Sequence, residues 1–214
     1  MDESQAVAAD RTASDTAPLS GLKFSKGHGT GNDFVLIADP NGALELSPEH
    51  VTALCDRHRG IGGDGLIRAV PSRLLPEGQD LLTAHPDAEW FMDYRNGDGS
   101  LSEMCGNGVR VFVHFLIAEG LVDLPAGESL VIGTRGGAKT IVRTASGYAV
   151  DMGPWEFIFP GEATARAMDS LVSAEGLEVA RPALSVSMGN PHTVVALAEM
   201  AELEATQLFT APRV

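Results

Sequence analysis

Cysteine is nearly absent from this chain: Cys55 and Cys105 are the only two among 214 residues. They form no CxxC pair, which excludes a disulfide scaffold and points to a reducing compartment, with a bridge between the two still open. Basic residues are scarce as well, 15 against 29 acidic, for a formal net charge of −14. Nucleic acid and anionic membrane surfaces would repel such a chain, so neither is expected as a partner. A small anionic substrate needs only a local set of N–H donors and is not excluded. No apolar run is long enough to span a bilayer. Residues 1–20 are polar and acidic, without the apolar stretch of a secretory signal, and read as a disordered tail. A cytoplasmic location is expected.

Nucleotide and metal signatures are also lacking. Gly27-His28-Gly29-Thr30-Gly31 misses the GxGxxG spacing, and in Gly136-Gly137-Ala138-Lys139-Thr140 an alanine stands where a Walker A loop needs glycine. Cys55-Asp56-Arg57-His58 has no second pair to complete a tetrahedral zinc site, and reads as a core cysteine near a charged helix end. No metal or cofactor is expected.

What is present is strand-rich. Residues 22–26 alternate like a strand and enter a glycine-rich loop at 27–33; residues 34–38 follow as a buried strand. Ser47 and Pro48 open a helix that runs through Val51, Leu54 and Cys55 to His58. A second glycine loop, 60–65, leads into a strand at 66–70; residues 71–86 read as a variable surface segment, and a strand at 90–95 ends in the turn Asn96-Gly97-Asp98-Gly99. Strands at 129–132, 140–144 and 148–152 precede a boundary at Gly153-Pro154. Beyond it lie strands at 183–188 and 193–197 and a short helix at 200–208. Hairpin-length links and few helices give α+β as the class. The expected domains are 21–149 and 150–214.

The densest information surrounds Cys105, in Ser102-Glu103-Met104-Cys105-Gly106-Asn107-Gly108-Val109-Arg110, followed by an apolar run to Ala118 and a stop at Gly120. Such a run predicts a helix buried all round. Cys105 then falls just before the first turn, where free N–H groups and the helix dipole favour a thiolate and can also hold a carboxylate. The competing reading is a small buried core cysteine. Asn96 and Asn190-Pro191-His192 each have an ordinary turn reading, Asn32 is equally ambiguous, and His192 beside an apolar strand is readily a structural histidine.

Taken together these residues resemble a family. Residues 24–34, 56–65, 94–99, 104–110 and 189–192 resemble, in order, five signatures of the diaminopimelate epimerases. The resemblance runs from about residue 22 to the end, outside the tail and residues 71–86. It implies cofactor-independent interconversion of LL- and meso-diaminopimelate, toward lysine and peptidoglycan, by two thiols exchanging acid and base roles. It also implies two pseudo-symmetric domains, each a mixed sheet wrapped around a central helix, the second incomplete here.

By motif position the resemblance makes Cys105 one of the two thiols, with His192 tuning its protonation. Gly106 and Asn107 offer backbone N–H groups to the α-carboxylate, and Asn32, Asn96 and Asn190 hold the substrate's other polar groups. Gly65 stands where some members carry Gln, and Thr193 where Cys is common. A second cysteine motif and a Glu-Arg pair are missing, and Cys55 does not replace the second thiol. The chain is therefore expected to be a fragment or a truncated form. The alternative is a non-catalytic half-site that binds an amino acid or a complementing chain. The expected partner is a small-molecule amino-acid substrate, and a homodimer stays open.

Overall fold

A computed structural model describes Leu19 and residues 21–214. The tail expectation lies outside these residues except at Leu19, which is buried with Val35, Ile37 and Val51. The chain divides into two compact units, one reaching Met152 and one beginning at Gly153.

The first unit is a seven-stranded sheet whose spatial order follows chain order: β1 (Ser25–Gly29), β2 (Asn32–Ala38), β3 (Gly65–Pro71), β4 (Trp90–Asn96), β5 (Ser129–Thr134), β6 (Gly137–Thr144) and β7 (Gly147–Asp151). Two neighbouring pairs, β2–β3 and β4–β5, are parallel and so require crossovers. The first carries α1 (Pro48–Cys55), and the second carries α3 (Gly106–Ala118). β3 and β4 run antiparallel, so the two crossovers start from strands of opposite direction. The right-handed rule then sends the helices to opposite faces. The side chains agree. Phe34 and Leu36 of β2 pack on the α3 side, whereas Val35 and Ile37 pack with Val51 and Cys55 of α1.

α3 is the organising element. Val109, Phe112, Val113, Phe115 and Leu116 are all buried, and the helix touches β1, β2, β3, β4 and β7. Because the first and the last strand both reach it, the sheet curls around the helix. The helix is not buried all round: His114 and Ala118, four residues apart, form an exposed stripe, with His114 Nδ1 3.1 Å from the Tyr148 hydroxyl.

Several local expectations change. The glycine loop at 27–33 is a β-hairpin with Gly29 paired to Asn32. Its turn is Thr30-Gly31, both at positive φ, 52° and 92°, as a two-residue turn matching strand twist demands. The glycines of β1 serve close packing instead: a Cβ on Gly29 would lie 2.8 Å from the Asn107 carbonyl oxygen. Residues 71–86 are structured, with a 3₁₀ turn (Ser72–Leu74) and α2 (Pro76–Ala84). α1 stops at Cys55, three residues short of His58, where Asp56 leaves helical geometry. Its N-terminus matches expectation, with Ser47 accepting from the His50 N–H at 3.2 Å.

The outer face of the sheet holds a buried charge cluster. Asp93 of β4 is fully buried and meets Arg68 Nη2 at 2.8 Å, Arg135 Nη2 at 2.6 Å and Arg95 Nε at 3.5 Å. Arg68 also reaches Asp39 at 3.4 Å, and Arg135 reaches Glu77 of α2 at 3.3 Å. Burial pushes the Asp93 carboxyl up, but the Arg135 hydrogen bond and the surrounding guanidinium charges outweigh it and hold it below the ordinary value.

The second unit is an antiparallel sheet: β8 (Glu156–Phe157), β9 (Ser170–Val172), β10 (Arg181–Ser187) and β11 (Pro191–Val195), with β10 central. Its helices are short, α4 (Pro160–Arg166) and α5 (Met200–Ala205), the latter ending before the expected 208. Among the described residues no helix is long and apolar enough to cross a membrane.

Asp93→Ala would take from three guanidinium groups the buried carboxylate they share, leaving Arg68 and Arg135 only their weaker pairs with Asp39 and Glu77, and is expected to destabilise the first unit by about 3 kcal/mol, read from urea unfolding. The pH dependence has a definite sign. A carboxyl depressed in the folded state contributes stability above its unfolded pKa of about 3.9, and that contribution is lost as pH falls through the lower folded value. Asp93→Asn should therefore flatten the acid limb of a stability–pH curve.

Candidate active site at the start of the central helix

The first turn of α3 is the focus. Cys105 is its N-cap, extended at φ −140° and ψ 115°, and its Sγ accepts the Gly108 N–H at 3.3 Å. A thiol in this place caps an orphan donor of the helix, the role usually taken by Ser or Asp. A thiolate would accept the same bond more strongly. The first regular helix bond runs from Val109 N–H to the Cys105 carbonyl at 2.8 Å. Gly106 and Asn107 are thus the first two helical residues, whose N–H groups an α-helix leaves without intrahelical partners. Gly108 is tightly enclosed: a Cβ there would meet Cys105 Cβ and Ile67 Cδ1, each at 3.3 Å.

Cys55 is a different kind of cysteine. It is buried inside α1, and burial first of all pushes its thiol up to about 11. Tyr94 of β4, packed edge-on against Phe34, is also raised, to about 12, by burial first and then by the charge of an ionised Cys105. It therefore stays protonated.

The β1–β2 turn and the second glycine loop close on this helix end. Asn32 Oδ1 accepts from Asn107 Nδ2 at 2.6 Å, and Asn32 Nδ2 donates to Asp64 Oδ2 at 3.2 Å. The two loops clamp each other: Asp64 N–H donates to the Asp33 carbonyl at 2.8 Å, and Asp33 N–H to Asp64 Oδ2 at 3.2 Å. Arg57 grips Asp33 with both Nη atoms, at 3.0 and 2.7 Å, and reaches Asp64 at 2.8 Å. Lys26 pairs with Asp33 at 2.8 Å and also bonds the Gly62 carbonyl. The Arg57 hydrogen bonds, followed by those of Lys26, hold the Asp33 carboxyl far below its ordinary value.

Asn96 reaches this region through backbone. It pairs with Gly65 across β3–β4, and the next N–H, of Gly97, donates to the Asp64 carbonyl at 2.8 Å. Its own Nδ2 is held by Ser100 Oγ at 3.0 Å, consistent with its turn role. Gly65 is required sterically. A Cβ there would sit 2.5 Å from the Arg95 carbonyl oxygen and 2.6 Å from a Tyr94 ring carbon, so a glutamine side chain has no room without a backbone shift.

The structure thus brings together Cys105, Gly106, Asn107 and Asn32, with Asn96 joined through Gly97 and Asp64. Asn190 and His192 belong to the second unit. There His192 Nε2 lies 3.0 Å from Asn190 Oδ1, on an exposed strand bordering an apolar depression of about 600 Å³ lined by Trp155, Phe157 and Val194 among others. Asp33, Arg57, Asp64 and Arg110 were not singled out from the sequence. Among the described residues no cluster of three or more His, Cys, Asp or Glu could hold a metal.

Residues 24–158 match the family model for diaminopimelate epimerase. The chain belongs to the diaminopimelate epimerase family. It is 48% identical over 179 residues to the diaminopimelate epimerase of Streptomyces coelicolor, covering 84% of this chain and 57% of that one. Against the enzyme of Thermobifida fusca it is 46% identical over 173 residues, covering 79% and 61%. The chain therefore spans about three fifths of the length of these relatives. Its fold is similar to a hydroxyproline epimerase from Agrobacterium vitis, with a TM-score of 0.52 at 11% identity over 81% of this chain and 51% of that one. This confirms the α+β class and the mixed curled sheet with its helix.

Alkylation with iodoacetamide at pH 8, followed by peptide mass spectrometry, should label Cys105 and spare Cys55 in the native protein. With its thiol near 11, Cys55 is ionised to only about one part in a thousand at that pH. Comparable labelling of the two would mean that the environment of Cys55 is not closed.

Proposed function

We propose that this chain carries one thiol half of a cofactor-independent amino-acid epimerase acting on diaminopimelate. The observation that carries the proposal is Cys105 as N-cap of the central helix, with its sulfur on the Gly108 N–H and the Gly106 and Asn107 N–H groups beside it. Inverting a stereocentre needs a base on one face of the α-carbon and an acid on the other. Cys105 serves one face. The two leading N–H groups take the α-carboxylate, so charge that develops when the α-proton leaves is met by preset donors and the helix dipole.

Asn32 and Asn96 of the first unit bind the substrate's remaining polar groups, and for Asn190 the family resemblance implies the same role. For His192 the family resemblance implies a part in tuning thiol protonation, and within its own unit its Nε2 is engaged with Asn190 Oδ1. Cys55 takes no part in the chemistry, because a thiol raised to about 11 inside a helix is neither ionised nor reachable at neutral pH. A mechanism that uses two thiols therefore draws its second from outside these 214 residues.

The alternative is a half-site that binds an amino acid, or a complementing chain, without turnover. The open donors at the start of α3 suit carboxylate capture on either reading, so proton exchange decides between them.

The test is deuterium uptake at the α-carbon of LL- and meso-diaminopimelate in D2O by the complete enzyme. Cys105→Ser is expected to reduce exchange by at least about a thousandfold, whereas Cys55→Ser leaves it near the unmodified rate. Undiminished exchange in Cys105→Ser removes Cys105 from the chemistry. Tight calorimetric binding of diaminopimelate with no exchange in the unmodified enzyme favours the half-site.

A further inference from the structure

Asn32 and Asn107 each present a side-chain amide whose two ends are alike in shape and opposite in hydrogen bonding. A site that uses them has to settle which end faces where. Their neighbours settle it. Arg110, one turn along α3, has only donors, and its Nη2 lies 2.5 Å from Asn107 Oδ1 and 2.9 Å from Thr30 Oγ1. That turns Asn107 Nδ2 toward Asn32, whose Oδ1 accepts it at 2.6 Å. Asn32 Nδ2 is turned in its place toward Asp64, whose ion-paired carboxylate has only acceptors, with Oδ2 at 3.2 Å. Arg57 holds the other Asp64 oxygen at 2.8 Å.

The result is one unbroken chain from guanidinium through two amides to carboxylate, with every donor pointing the same way. Aligned bonds of this kind polarise one another. Reversing either amide would set donor against donor at one end and acceptor against acceptor at the other, leaving polar groups unpaired.

We infer that Asp64 and Arg110 are positioning residues that dictate the orientation of Asn32 and Asn107, and through it the pattern of donors and acceptors offered to an amino-acid substrate. After its bonds within the chain, Asn32 retains one N–H and one oxygen lone pair, and a reversed amide would exchange their places. The inference rests on the epimerase reading above for its substrate, but not for the orientation itself. Charge at both ends is what matters. An amide side chain at position 64 or 110 keeps a hydrogen bond of similar geometry and loses the direction, because an amide both donates and accepts.

The direct test follows the Asn side-chain amide signals of the 15N-asparagine-labelled chain by NMR. Asn32 and Asn107 are expected to give one sharp Nδ2 pair each. Asp64→Asn and Arg110→Gln should each double or broaden both pairs, while Arg110→Lys, again a pure donor, restores the single set. Arg110→Gln leaves the Arg57, Asp33 and Asp64 cluster in place, so it carries the test should Asp64→Asn fail to fold. In the complete enzyme, Arg110→Gln is expected to raise KM for diaminopimelate about tenfold, with Arg110→Lys within about twofold of the unmodified enzyme. Single, unshifted amide pairs in both Asp64→Asn and Arg110→Gln overturn the inference. Doubled signals with unchanged KM overturn its substrate half and leave the epimerase reading standing. An unmodified complete enzyme that exchanges no diaminopimelate proton sinks the epimerase reading instead, whatever the amides show.

Discussion

Everything in the first unit follows from the need to bury α3. A helix carrying Val109, Phe112, Val113, Phe115 and Leu116 exposes apolar side chains on most of its circumference, and one flat sheet covers only one side of it. The sheet therefore curls until β1 and β7 both touch the helix. Curling has a geometric by-product. It draws the β1–β2 turn over the first turn of α3, where an N-cap thiol and open N–H groups already stand. The close approach is possible because β1 carries glycines where it crosses the helix, with no side chain to hold Gly29 away from Asn107. Burial thus assembles the polar site, and the polar contacts between Asn32 and Asn107 then hold the turn in place.

The opposite face of the same sheet solves another problem. Strands buried on both faces ordinarily read as continuous apolar runs, yet β3 and β4 carry Arg68, Asp93 and Arg95. Asp93 sits among three guanidinium groups, and Asp39 and Glu77 supply the remaining negative charge. The cluster joins β3, β4 and the strand-end residue Arg135 to the loop after β2 and to α2. A paired buried charge is a weak source of net stability but a demanding one geometrically. It favours a single arrangement of these elements, and Tyr94 and Asn96, the neighbours of Asp93 and Arg95 on β4, lie at the site side of that arrangement.

Local chemistry made much of this legible in the sequence. Ser47 and Pro48 announce α1, the apolar run after Cys105 announces α3, and Gly120 ends it, because capping and periodicity are written within a few residues. The N-cap position of Cys105 followed from the same rules. Other features needed the fold. Gly27 and Gly29 read as loop residues because their use, helix contact, lies about eighty residues away at Asn107 and Val111. Asp33, Arg57 and Asp64 are ordinary surface charges until β2 and the second glycine loop are side by side. The Pro71–Pro86 segment has the composition of a loop, and α2 forms there without a side-chain cap. In the second unit β8, β9 and α4 escaped notice because strands of two and three residues and a seven-residue helix leave almost no periodic signal.

The sheet of the first unit is sequential: each strand lies beside the one made just before it. During synthesis the ribosome therefore releases the sheet in assembly order, and every new strand finds its edge already waiting. α3 is the exception. It emerges after β4, but the wall that encloses it is finished only when β7 arrives some thirty residues later. For that interval the most apolar helix of the unit is made and not yet sheltered, which makes the stretch between Ala118 and Gly147 the window in which a nascent chain is most exposed to aggregation and to chaperone capture.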